Sequence, residues 1–138
     1  MSRSIPVRAL LKRATITIHP GDPLSEAYRL MREHDVSQLP VLEGDRIAGI
    51  VDESDILLHV YGDSKRFSDP VSIAMVTRLE LTSADASLET LLPIFERGHV
   101  AMIAEGGKLT GLITRVDLLD WLSNAGDVGY GMKSSDLD

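Results

Sequence analysis

The stretch Gly49-Ile50-Val51-Asp52-Glu53-Ser54-Asp55-Ile56-Leu57 returns 62 positions later as Gly111-Leu112-Ile113-Thr114-Arg115-Val116-Asp117-Leu118-Leu119. At the same offset Val41-Leu42-Glu43-Gly44-Asp45-Arg46-Ile47-Ala48-Gly49 lies without a gap on Ile103-Ala104-Glu105-Gly106-Gly107-Lys108-Leu109-Thr110-Gly111. Self-similarity at a fixed period means one supersecondary unit written twice. A unit of about 60 residues is near the lower limit for independent stability, so the copies are expected to pack together rather than hang as beads. The 138 residues, 43% of them apolar, suffice for one ordinary core or two small half-cores that complete each other.

Local signals give the order of elements. Thr15-Ile16-Thr17-Ile18 alternates strong β-formers and stops at His19-Pro20-Gly21-Asp22, which reads as a short strand and a turn. Asp22 followed by Pro23 reads as an N-cap with proline at the first helical position. Leu24, Ala27, Tyr28 and Met31 then recur at i, i+3, i+4 and i+7, predicting an amphipathic helix. Leu39 to Leu42 and Ile47 to Val51 flank Glu43-Gly44-Asp45-Arg46 as a hairpin, and Ser54 to Val60 begins a second helix that ends near Gly62. The second copy repeats the order. Leu79 to Leu81 is its strand, Leu88, Leu91, Leu92 and Phe95 are a helix stripe closed by Gly98, Val100 to Ala104 and Leu109 to Ile113 are its hairpin, and Val116 to Ser123 is its last helix. It is two residues shorter between first helix and first hairpin strand, a change that falls in a loop. Each copy is expected to run β-α-β-β-α, giving an α+β protein. A solvated leading segment, 1–13, precedes repeat one at 14–62; a linker, 63–76, leads to repeat two at 77–124; a flexible tail, 125–138, ends the chain.

Several function classes are disfavoured. A formal charge of −7 argues against nucleic acid as a partner, because phosphate contacts need clustered Lys and Arg. Cysteine is absent, which removes disulfides, thiolate metal sites and cysteine nucleophiles and fits a reducing cytosol. No apolar run reaches a membrane span, and Met1 to Pro6 lacks the features of a signal peptide, so a cytoplasmic protein with no membrane partner is expected. His19, His34, His59 and His99 have no metal-ligand spacing, so no metal site is expected. No Ser-His-Asp set, carboxylate pair or Walker loop stands out, and no catalytic residue is assigned.

A β-α-β-β-α unit in tandem, with Gly-aliphatic-aliphatic-Thr/Asp-x-x-Asp entering the last helix of each copy, resembles the CBS-domain pair, or Bateman module, over residues 14 to 124. Arg32 to Val41, His99 to Ile103 and Gly111 to Leu119 carry a narrower likeness to the C-terminal regulatory module of cystathionine β-synthases. The resemblance implies two repeats packed about a pseudo-twofold axis, with two clefts that accept AMP, ATP or S-adenosylmethionine. It further implies a homodimer and a covalently linked catalytic domain or partner that responds. Such lyases hold pyridoxal phosphate in a much larger separate domain, which 138 residues cannot contain, so this chain is expected to be a regulatory fragment rather than an enzyme.

One cleft would use Thr114, Arg115, Val116 and Asp117 with Ala14, Thr15 and Ile16 and with Val36, Ser37 and Leu39. There Asp117 can accept from both ribose hydroxyls, and the free amides of the helix start can hold a phosphate or carboxylate. The other would use Asp52, Ser54 and Asp55 with Thr77, Arg78 and Leu79 and with His99, Val100 and Ala101. It departs from the family pattern: Asp52 stands in place of threonine, and Glu53 stands where repeat two has Arg115. Two carboxylates near a phosphate repel it even at an effective dielectric of about 20, so this cleft should disfavour AMP and ATP and prefer an uncharged or cationic adenosyl ligand. Thr114-x-x-Asp117 is equally an ordinary capping box that binds nothing, and a ligand-free dimerisation scaffold is the rival reading. Ile56, Leu57 and Val60 in one last helix, and Leu118, Leu119 and Leu122 in the other, are the expected dimer surface.

Overall fold

The structure, a computed structural model, describes residues 5–11 and 15–125, with no side-chain detail at 125. The described residues form two compact units. One holds 15–79 with the hairpin tip 107–109; the other holds 5–11, 80–106 and 110–125.

In the first-repeat unit the helix α1 (Leu24–His34) buries Leu24, Ala27 and Met31 on one stripe, while Tyr28 stays 40% exposed over Phe67. Its N-cap is Pro23 rather than the expected Asp22, whose carboxylate instead accepts from His19 N at 3.1 Å and closes the turn before the helix. Strands β1 (Gln38–Glu43) and β2 (Arg46–Asp52) pair antiparallel about Gly44, and α2 (Glu53–Val60) follows without a break.

The expected strand at 15–18 is reduced to a single parallel bridge from Ile18 to Val41. Ile18 N donates to Pro40 O and Leu42 N donates to Ile18 O. The next ladder bond would need an amide hydrogen on Pro40, which proline lacks. In the second-repeat unit Met102 occupies that register position and donates to Glu80 O at 2.9 Å, and there a true strand forms, β3 (Leu81–Thr82), parallel to β4 (Ala101–Glu105). This strand starts two residues later than the sequence signal suggested. Strand β5 (Lys108–Ile113) completes the sheet in the order β3-β4-β5, and α4 (Arg115–Ala125) ends the described chain.

The helix expected on Leu88, Leu91, Leu92 and Phe95 is a 3-10 turn at Leu88–Thr90 followed by α3 (Leu91–Glu96). Pro93 cannot bond back to the carbonyl four residues earlier, so α-geometry begins only where Pro93 falls among the first amides, which need no partner. Leu92 lies outside the buried stripe at 55% exposure, and Gly98, at φ 79°, closes the exit.

Burial repeats with the sequence. Leu39, Val41, Val51 and Ile56 in one core correspond, 62 residues on, to Ala101, Ile103, Ile113 and Leu118 in the other. Ahead of the shortened loop the offset is 64, matching Leu24 to Leu88 and Ala27 to Leu91.

Parts of the expected leading segment and linker pack into the cores. Val7 is fully buried in the second-repeat core, and Val71 is fully buried in the first-repeat core. Each is held by the same bonds. Val7 N donates to Ala86 O, Arg8 N to Ala84 O, and Leu88 N to Ile5 O; correspondingly Val71 N donates to Asp22 O, Ser72 N to Pro20 O, and Leu24 N to Asp69 O. Bridges Pro6 to Ser87 and Pro23 to Pro70 complete the match. The segment that precedes each repeat therefore closes the core of the other. Gly49 serves the same exchange, since a Cβ there would stand 2.7 Å from Val76 O, where residues 75 and 76 cross β2.

Candidate functional site

Both repeats deliver a strand straight into a helix, and the junction is capped the same way. At the start of α2, Asp55 N donates to Asp52 Oδ1 at 2.8 Å and Asp52 N donates to Asp55 Oδ2 at 2.9 Å. Burial of Asp55 raises its pKa, the Asp52 amide draws it back in part, and the charge of Asp52 raises it further, to about 6. Glu53, exposed beside the half-buried Asp52, adds a third carboxylate. This helix start is acidic.

At the start of α4 the Asp117 carboxylate accepts from Thr114 N at 2.9 Å and from Thr114 Oγ1 at 3.1 Å, while Asp117 N donates to Thr114 Oγ1 at 3.4 Å. Arg115 and Val116 follow, both exposed. This helix start offers a hydroxyl, a carboxylate and a guanidinium together with the first-turn amides, a set suited to ribose hydroxyls and an anion.

Thr114, Arg115, Val116 and Asp117 belong to the second-repeat unit, whereas Thr15, Ile16, Val36, Ser37 and Leu39 belong to the first; Ala14 lies outside the described residues. Likewise Asp52, Ser54, Asp55, Thr77, Arg78 and Leu79 are in the first-repeat unit, and His99, Val100 and Ala101 in the second. Two side chains in these sets have another task. Leu39 and Ala101 are fully buried at equivalent places in their cores, which leaves only their backbone to a ligand. Thr15, Ile16, Val36, Leu79 and Val100 are half-buried, and Ser37, Ser54, Thr77 and Arg78 are exposed.

His99 is held by a partner that periodicity did not point to. Its Nδ1 lies 2.7 Å from Glu80 Oε2, and Arg97 grips the same carboxylate through Nε and Nη2, each at 2.9 Å. Hydrogen bonds from Arg97, then from His99, lower the Glu80 pKa to about 2. Arg97 and His99 on either side of Gly98 were the only signal in the sequence. No helix among the described residues is long and apolar enough to cross a membrane.

Comparison with known proteins agrees with the repeat. The CBS domain family model matches residues 7–62 and 71–124, each match opening on one of the exchanged valines. An inosine-5′-monophosphate dehydrogenase of Korarchaeum cryptofilum is 32% identical over 110 residues, covering 77% of this chain and 22% of that protein. A cystathionine β-synthase of Dictyostelium discoideum is 28% identical over 122 residues, covering 84% of this chain and 24% of that one. The chain thus spans about a quarter of the length of these two curated relatives. Among solved structures, an acetoin utilization protein of Vibrio cholerae aligns at a TM-score of 0.83 with 22% identity over 91% of this chain and 96% of the other. The CBS domain pair of protein MJ0100, solved with 5′-methylthioadenosine and S-adenosyl-L-methionine, aligns at 0.77 with 15% identity over 88% of this chain and 98% of the other. Two matched repeats covering most of the sequence show that the chain belongs to the CBS-domain family, as a tandem pair.

Proposed function

We propose that this CBS pair is a regulatory module that binds an adenosine-containing small molecule, AMP, ATP or S-adenosylmethionine, and reports occupancy to a catalytic domain or partner. The observation that carries the reading is the pair of capped strand-to-helix junctions, Thr114 to Asp117 and Asp52 to Asp55, at equivalent places in the two repeats. The adenosyl compounds bound by the MJ0100 pair support the ligand class. Asp117 takes the ribose, and Thr114, Arg115 and the first amides of α4 take the anion, with Val36 and Ile16 against the base. The acidic start of α2 suits an uncharged or cationic adenosyl group. A ligand acts by favouring one of two arrangements for which its affinities differ.

The module assembles as a cytoplasmic homodimer in this reading. Leu57 and Leu119, one repeat apart, are 58% and 61% exposed on α2 and α4, which supports a face there. Ile56 and Leu118, expected on the same face, are buried in their own cores. The catalytic neighbour is a covalently linked domain, as the partial match to the dehydrogenase and the synthase suggests, and a pyridoxal-phosphate lyase is one candidate.

The rival reading, a dimerisation scaffold without ligand, draws support from the caps themselves, since the side chains of each junction already bond one another. Thermal unfolding with millimolar AMP, ATP or S-adenosylmethionine separates the two. A ligand selective for the folded state at about 100 times its Kd adds about 2.7 kcal/mol. A rise in Tm with at least one compound is expected; no rise with any favours the scaffold.

A further inference from the structure

The fold repeats, but the charges around one cavity do not. In the first-repeat unit an open cavity of about 520 Å³ is lined by Met31, Arg32, Asp35, Val36, Ser37 and Glu53. That is room for a small-molecule group. Met31 is buried and Val36 half-buried, giving it an apolar wall, while Arg32, Asp35 and Glu53 are exposed at its rim.

Each rim group is placed by the fold. The Arg32 guanidinium lies 5.8 Å from the centre of the Tyr28 ring, and its Nη1 is 3.4 Å from the Tyr28 hydroxyl, contacts that engage part of its five-donor fork. Glu53 N donates to Ser37 O at 3.1 Å, which ties the start of α2 to the opposite wall. Asp35, at φ 54°, is the only non-glycine with positive φ among the described residues. The second repeat makes the corresponding helix exit with Gly98, which carries no penalty there, so the first repeat keeps a carboxylate where the backbone alone favours glycine. The other two positions change sign: Arg32 corresponds to Glu96 at the offset of 64, and Glu53 to Arg115 at 62. Core positions stay apolar through the duplication while all three charged rim positions differ. That pattern marks specificity rather than folding.

We infer that this cavity is an amphoteric subsite for an α-amino-acid zwitterion, Arg32 taking the carboxylate and Asp35 and Glu53 the ammonium. A guanidinium fork matches a carboxylate in two parallel bonds, two carboxylates accept the ammonium donors, and Met31 packs against the methylenes between them. The inference rests on the adenosyl reading for the source of the zwitterion. Val36 and Ser37 serve the adenosine in that reading, so the zwitterion is the aminoacyl tail of an S-adenosyl compound. A free α-amino acid carries the same chemistry.

S-Adenosylhomocysteine and 5′-methylthioadenosine are both neutral thioethers on adenosine and differ in the aminoacyl tail, so they isolate it from any sulfonium charge. The experiment is calorimetric titration of the whole chain, wild type, Arg32→Ala and Asp35→Asn, with both compounds and with L-methionine. Wild type is expected to bind the tailed compound at least about tenfold more tightly than the tailless one, and either variant to reduce that ratio below about threefold. Unchanged affinity for 5′-methylthioadenosine in the variants shows that they are folded. Equal affinities in wild type, or equal losses for both compounds in the variants, would overturn the subsite. If neither adenosyl compound binds, the adenosyl reading fails by itself and L-methionine decides the cavity. Wild-type binding that Arg32→Ala abolishes supports a free amino-acid site, and no binding overturns it.

Discussion

Val7→Ala tests the exchange of leading segments, because it perturbs a residue that lies in front of repeat one and is expected to loosen repeat two. Val7 is 0% exposed and packs among Ala84, Leu88, Leu91, Ala101, Ile103 and Ile113. Truncation removes two buried carbons, about 1.6 kcal/mol at about 0.8 kcal/mol each, and the unfilled space adds to it, for a total of about 2–3 kcal/mol. Val71→Ala is the mirror change in the first-repeat core. Denaturant unfolding gives the size of each loss, and amide hydrogen exchange gives its place. Val7→Ala should speed exchange at Ala101 to Ile103, Ile113 and Leu118, and Val71→Ala at Leu39 to Val41, Val51 and Ile56. The reasoning fails if Val7→Ala costs under about 0.5 kcal/mol, or if it deprotects the first-repeat core instead.

Asp52→Thr removes one carboxylate from the acidic helix start and restores a hydroxyl. It should shift ligand preference from S-adenosylmethionine toward ATP in calorimetry at fixed salt, and an unchanged ligand order would refute the charge argument. Asp55, with its pKa raised from 3.8 to about 6, binds its proton more tightly in the folded state. Its contribution to stability is therefore full below about pH 3.8 and is lost as pH rises through about 6. Asp55→Asn should flatten the fall in denaturation midpoint between those values, and an unaltered slope would contradict the assignment. Leu57→Glu with Leu119→Glu should convert a dimer to a monomer in light scattering at tens of micromolar; a wild type already monomeric there would count against the α2/α4 face.

How much of this was readable in the sequence depended on whether a residue's signal was local. The 62-residue offset, the two hairpins and the entry of Gly-aliphatic-aliphatic strands into helices follow from adjacent residues, and they appear within one or two positions of where they were expected. Ile5-Pro6-Val7 and Asp69-Pro70-Val71 repeat at 64 instead, with only Pro-Val in common, so the leading segment with its scattered arginines reads as solvated and 63–76 reads as a linker. Their burial is a tertiary property: Val7 packs against residues from Ala84 to Leu118, and Val71 against residues from Ile18 to Ile56. The failed strand at 15–18 has the opposite lesson: its own residues favour a strand, and the missing amide of Pro40 on the neighbouring strand forbids it. For the candidate site, the cap motifs were readable because they are four-residue patterns. The Glu80, Arg97 and His99 cluster and the Arg32, Asp35 and Glu53 rim were not, since each joins residues from separate elements.

The most direct measurement is calorimetric titration of the whole chain with AMP, ATP and S-adenosylmethionine, repeated on Asp117→Ala. The account predicts saturable binding of at least one of them, with AMP affinity falling at least about tenfold in the variant as the ribose acceptor is lost. No heat with any of the three up to millimolar concentration, or AMP binding that Asp117→Ala leaves intact, would contradict it.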